Sequence, residues 1–184
     1  MVEAGNWSAI ALWEPPDFRG KPFSEVRSQP GPVLDEWRET VRTMKERYLR
    51  LPEKVTNAME STAQTKAGTG IGDPETSLSI PSGDHVPLRP FWHLAFLARD
   101  PRKPAVKGAI SAVLKPYLDQ AVSQGVPAWL EATNLHAVGV YKHMGFRLLE
   151  AVTIGKGKIG TDGWPKEGGD GVTAYIMIFD EHVR

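Results

Sequence analysis

From Phe91 to Ala98 (FWHLAFLA) almost every residue is apolar. Such a run is the mark of a strand covered on both faces. Asp100-Pro101 ends it. The next apolar positions, Ile110, Val113, Leu114, Tyr117, Leu118, Ala121 and Val122, fall three and four apart. That spacing predicts a helix beginning near Lys107. Pro116 inside the stripe removes one backbone hydrogen bond and predicts a kink. Gly125 and then Pro127 close the helix. Ala128–Ala132 reads as a second strand, and Leu135–Met144 as a short helix ended by Gly145, where a positive φ is cheap. A strand, crossover helix and strand of this size predict a right-handed parallel pair. Helices leaving the C-terminal ends of adjacent parallel strands make a place for an anionic ligand.

The flanking pattern is less regular. Trp7–Trp13 (WSAIALW) predicts a strand, closed by Glu14-Pro15-Pro16. Asp17–Pro32 reads as loop. Leu34, Trp37, Val41, Met44 and Tyr48 predict an amphipathic helix over Leu34–Leu51, stopped by Pro52. Its stripe serves either as core packing or as one wall of a substrate cleft. Thr56–Pro90 is poor in large apolar residues and rich in Ser, Thr, Gly and Pro, which predicts a long mobile loop. Arg147–Thr153 and Ala174–Phe179 predict two more strands, antiparallel, joined by the glycine-rich stretch Gly155–Gly171 as a long hairpin or lid loop. The fold class expected is α/β (α+β), a mixed and mostly antiparallel sheet with a central parallel pair.

Composition narrows the chemistry. The 184 residues suffice for one domain, 1–184, with a real core. Twenty-two basic and 22 acidic residues balance to zero, which argues against a general nucleic-acid binder, although a local basic patch around Arg99–Lys107 stays open. Cysteine is absent, which excludes a thiol nucleophile and a cysteine-based metal site. His85, His136, His143 and His182 lack metal-ligand spacing, so no metal is expected. No apolar run approaches the ~20 residues of a membrane span, and Met1–Gly5 carries no basic segment. The expectation is a cytoplasmic or nuclear protein with no membrane partner. Oligomeric state is not legible.

Taken together, Asp100-Pro101, Lys107–Pro116 (KGAISAVLKP), Val126–Asn134 (VPAWLEATN) and Tyr141–Phe146 (YKHMGF) resemble the GNAT superfamily of N-acetyltransferases, most closely its fungal small-molecule-type members. The resemblance covers Phe91–Phe146, with Trp7–Pro16 similar to an earlier strand. It implies a sheet whose central parallel pair splays to admit acetyl-CoA. It also implies direct acetyl transfer to a small amine in a ternary complex. Leu97 and Ala98 would pair with the pantetheine amides through their backbone, as an added strand does. Val106, Lys107, Gly108, Ala109, Ile110 and Ser111 would cradle the pyrophosphate. Asn134 matches the residue that holds the pantetheine arm, and it suits equally an N-cap for the following helix. Tyr141 matches the acid that protonates the leaving thiolate, and it suits equally a core tyrosine.

Two departures accompany the likeness. Ala105 and Ile110 stand where the family's Gln/Arg-x-x-Gly-x-Gly/Ala loop has its first and last residues, while Gly108 is kept. Lys107 either adds charge there or is simply solvated. Only six residues precede the Trp7 strand, where the family has further elements, so the N-terminal part reads as shortened. The general base stays open among Glu131, His93 and a water chain. The alternative to an enzyme is a catalytically degenerate GNAT-like fold serving as an interaction module. A Rossmann oxidoreductase needs a Gly-x-Gly-x-x-Gly turn after a strand and an acidic residue about 20 further on, and neither is in place.

Overall fold

The computed structural model describes residues 1–18, 31–51, 87–102 and 104–181. Most of the Asp17–Pro32 and Thr56–Pro90 stretches, together with Lys103 and 182–184, therefore lie outside the described residues. The chain forms two compact units: 1–41 with 90–184, and 42–89. The elements run β1 (Val2–Ala4), β2 (Ala9–Glu14), α1 (Pro32–Leu49), β3 (Trp92–Ala98), α2 (Ala109–Gln124), β4 (Ala128–Ala132), α3 (Leu135–His143), β5 (Arg147–Ile154) and β6 (Val172–Phe179). Within the smaller unit, Arg50 and Leu88 form an isolated antiparallel bridge.

Six strands make one sheet in the order β1-β2-β3-β4-β6-β5. Every neighbouring pair is antiparallel except β3 and β4. Alternation along the strands sends Ala9, Ala11 and Trp13 of β2, Trp92 and Leu94 of β3, and Ala128, Leu130 and Ala132 of β4 to one face. There they form a single core with Val113, Leu114, Leu118 and Ala121 of α2 and Val138 and Tyr141 of α3. Burying each large side chain contributes roughly 1.5–3 kcal/mol. Trp13 stacks on Tyr117 at 5.2 Å and meets Trp92 edge-on at 6.4 Å. Both indoles satisfy their polar ends: Trp13 Nε1 donates to the Val113 carbonyl at 3.0 Å, and Trp92 Nε1 to Gln124 Oε1 at 2.8 Å. The opposite face of the same strands carries Glu14, His93, Trp129 and Glu131.

Three expectations change in detail. The strand expected over Trp7–Trp13 begins only at Ala9, because Gly5, Asn6 and Trp7 are all left-handed (φ 64°, 53° and 66°) and turn the chain back from β1. The helix expected near Lys107 begins at Ala109, because Gly108 at φ 83° is left-handed. It then runs through Pro116 to Gln124, and Gly125 at φ 64° closes it. The third change is burial on β3. Trp92 and Leu94 are buried, but Ala95 and Phe96 are exposed, Phe96 by 53%. The apolar run does not mean two covered faces here, because its second half borders an opening.

Candidate active site

That opening comes from the strand register. β3 and β4 pair only at Trp92↔Ala128 and His93↔Trp129. Beyond His93 the two strands part. Leu94, Phe96, Leu97 and Ala98 keep their partners on β2, and Leu130, Glu131 and Ala132 keep theirs on β6. Ala95 has no partner on β2: Leu12 faces Phe96 and Trp13 faces Leu94, so β3 bulges at Ala95. A bulge increases local twist and bends its strand, and this one sits beside the point of divergence. The parting leaves a cavity of about 560 Å³. β3 and Arg99 line one side, Glu131 and Thr133 the other, with Ile110 and the α3 residues Asn134, His136, Ala137, Val140 and Tyr141 completing it.

Of the residues singled out from the sequence, Leu97, Ala98, Ile110, Glu131, Asn134 and Tyr141 line this cleft. Gly108 and Ala109 stand at the start of α2, and a Cβ on Gly108 would meet nothing within 4 Å, so open space lies before it. Among the described residues the N–H groups of Gly108, Ile110 and Ser111 have no backbone acceptor, whereas that of Ala109 is bonded to the Val106 carbonyl at 3.1 Å. The expectation that donors from Val106 to Ser111 are all available is therefore corrected at Ala109. Three free donors and the helix dipole make this end receptive to an anion. Val106 and Lys107 are exposed beside it and do not line the cleft. Ser111 lines a shallower groove of about 400 Å³ between α2 and α3 with His136 and His143.

Asn134 caps α3: its side chain accepts the Ala137 N–H at 2.9 Å. Its amide nitrogen donates to Thr133 Oγ1 at 3.3 Å. The capping and cleft-lining readings hold together. Tyr141 is buried against Phe146, ring centroids 5.8 Å apart, and still borders the cleft. Burial pushes its phenol up to about 12, so it keeps its proton at neutral pH. His93 is not open to a ligand through its nitrogens. Nδ1 lies 2.7 Å from Glu14 Oε2 and Nε2 lies 2.9 Å from Glu131 Oε2. Glu131 Oε1 accepts from Trp129 Nε1 at 2.6 Å. Of the two base candidates, then, only Glu131 reaches the cleft directly.

Glu14, Arg99, Thr133, His136 and Val140 were missed in the sequence. His136 and Val140 had a signal: on a helix they share a face with Tyr141. Glu14 had none short of the β2–β3 register.

No protein-family model matches the chain. A Saccharomyces cerevisiae protein named increased recombination centers protein 11 is 29% identical over 103 residues, 55% of this chain and 66% of that protein. An uncharacterised N-acetyltransferase of Schizosaccharomyces pombe is 20% identical over 154 residues, 84% of this chain and 53% of that protein. The chain thus spans between about half and two thirds of the length of these relatives. Among solved structures, Arabidopsis thaliana NAA60 in complex with acetyl-CoA overlays 50% of this chain and 49% of its own, with 17% identity and a TM-score of 0.37. This chain's six-stranded sheet with one parallel, splayed pair is the fold expected from the GNAT resemblance.

Proposed function

We propose that the chain is a GNAT-like acetyltransferase domain that takes acetyl-CoA into the β3/β4 cleft and passes the acetyl group directly to a small amine. The observation that carries this reading is the parting of β3 and β4 after two residue pairs. It leaves strand edges at Leu97 and Ala98 facing a cavity that Ile110, in the first turn of α2, also lines. A pantetheine arm offers amides that can pair with such an edge, and its pyrophosphate suits such a helix end.

Acetyl transfer needs a neutral amine, a polarised carbonyl, in-line placement and a proton for the departing sulfur. Glu131 is the group at the cleft suited to take a proton from the amine. The amine nitrogen then attacks the thioester carbonyl, the C–N bond forms and the C–S bond breaks. Tyr141, still protonated at neutral pH, donates to the thiolate and is recharged by the second proton that the amine nitrogen loses. No covalent enzyme intermediate is required.

The test is an acetyl-transfer assay with acetyl-CoA and a panel of primary amines, product read by mass spectrometry. Acetylated amine at enzyme-dependent rates is expected. Its absence across the panel, with acetyl-CoA binding no tighter than millimolar, contradicts the reading. Ile110 favours the second reading, a non-catalytic module: its branched side chain lines the cleft at a position where the resembling family keeps Gly or Ala. In that case Ile110→Ala restores acetyl-CoA binding that the native chain lacks.

A further inference from the structure

The cluster Glu14–His93–Glu131 joins three strands across the face opposite α2 and α3. It lies where β3 and β4 are still paired, one step before they part. Every polar atom of the imidazole is engaged: Nδ1 by Glu14 at 2.7 Å and Nε2 by Glu131 at 2.9 Å. A neutral imidazole carries one N–H and so can donate to only one of two carboxylates. Both contacts are hydrogen bonds at once only when the set holds one further proton, on the ring or on a carboxyl oxygen, so it offers one incoming proton a place. Its two ends differ in environment. Glu131 is 12% exposed, fixed by Trp129 and facing the cleft, whereas Glu14 is 29% exposed at the end of β2. Among the described residues the charged groups bonded to the ring are Glu14 from β2 and Glu131 from β4, and on β3 itself the Phe91 ring lies 6.4 Å away.

We propose that Glu14 is a positioning residue for transfer: it holds the Nδ1–H of His93 so that Nε2 faces Glu131, and Glu131 and His93 together form the acceptor for the amine's first proton. This rests on the acetyl-transfer reading of the cleft and deepens it. The protons balance as follows. An alkylammonium gives one proton to the Glu131 carboxylate, which passes it to Nε2. The ring becomes imidazolium, with Glu14 stabilising its Nδ1–H. The amine nitrogen attacks, and its second proton leaves with the thiol by way of Tyr141. The imidazolium returns its proton to water once the amide product has gone. A carboxylate behind a histidine that fixes the tautomer and stabilises the cation is a recurring arrangement in proton-transfer sites.

The test is a double-mutant cycle with Glu14→Gln, His93→Gln and both together, measured as pH profiles of kcat/KM alongside acetyl-CoA affinity and thermal melting. ¹⁵N NMR of His93 in the free protein reads its tautomer. The expected result is a loss of roughly tenfold to a hundredfold for each single variant and a moved acid limb. The double variant should be little worse than His93→Gln alone. Acetyl-CoA affinity should not change, and the Nδ1–H tautomer should be lost in Glu14→Gln. Additive effects with an unmoved acid limb, or an unchanged tautomer in Glu14→Gln, overturn the inference while leaving the transferase reading standing. Wild-type protein that acetylates no amine overturns both.

Discussion

At the scale of single residues, Tyr141, Gly108 and Ile110 each give a separate prediction. Tyr141 is buried, which disfavours the phenolate, so its folded-state value of about 12 lies above the unfolded value of 10.0. A raised value means that the folded state holds the proton more tightly. The associated stability is complete below about pH 10 and is lost as pH rises through about 12. Between those limits the stability of wild type should fall more steeply with pH than that of Tyr141→Phe, as measured by urea melts. In turnover, Tyr141→Phe should lower kcat by roughly a hundredfold while acetyl-CoA affinity stays within twofold; unchanged kcat would remove it from the mechanism. Gly108 is the second residue. A Cβ there has room, but φ 83° is left-handed, so Gly108→Ala should cost about 1 kcal/mol from the backbone alone. The same methyl stands before the free N–H groups and should weaken acetyl-CoA binding, as titration calorimetry would read. Ile110 is the third. It is partly buried against the core, and Ile110→Ala should cost about 1–2 kcal/mol while tightening acetyl-CoA binding. A weaker complex would show that the side chain supports the ligand.

Legibility differed sharply between elements, for identifiable reasons. β4 was bounded correctly as Ala128–Ala132 because a glycine-proline boundary precedes it and a capping asparagine follows it. The ends of α2 and α3 were legible from Gly125 and Gly145, both at positive φ. β1, three residues long, is too short to show a period. The bulge at Ala95 has no sequence signature, since it exists only as a mismatch between β2 and β3. The same holds for Glu14, which reads as the polar end of a strand until the register brings it to His93. The cleft was half legible: Tyr141 and Asn134 came from the family resemblance, whereas Arg99 and Thr133 lie just past strand ends, where side-chain direction depends on how far the strands diverge. At this scale the prediction concerns the unpaired edge. Amide hydrogen exchange over 95–98 and 108–111 should slow on adding acetyl-CoA, since both stretches gain partners. Slowing confined to other segments would place the ligand elsewhere.

For the whole molecule, zero formal net charge gives no long-range pull on a polyanionic cosubstrate. If acetyl-CoA is the cosubstrate, the proposed reading makes its recognition local, from the α2 amides and from Arg99, which lines the cleft. Binding to the folded state alone should stabilise it by about 2.7 kcal/mol at a hundredfold excess over Kd. For a chain of this size that is a rise in melting temperature of roughly 5–10 °C, which scanning fluorimetry would detect; no rise at millimolar acetyl-CoA would speak against binding to the fold. Among the described residues no helix is long and apolar enough to cross a membrane.

All of these expectations descend from one geometrical fact, that the central parallel strands part after His93 and leave an edge to be filled. A crystal structure with coenzyme A bound tests it most directly. The account predicts pantetheine density between β3 and β4, its amides paired to the backbone of Leu97 and Ala98 and its pyrophosphate against Gly108–Ser111. Strands zipped together past His93, or coenzyme A bound anywhere else on the protein, would contradict it.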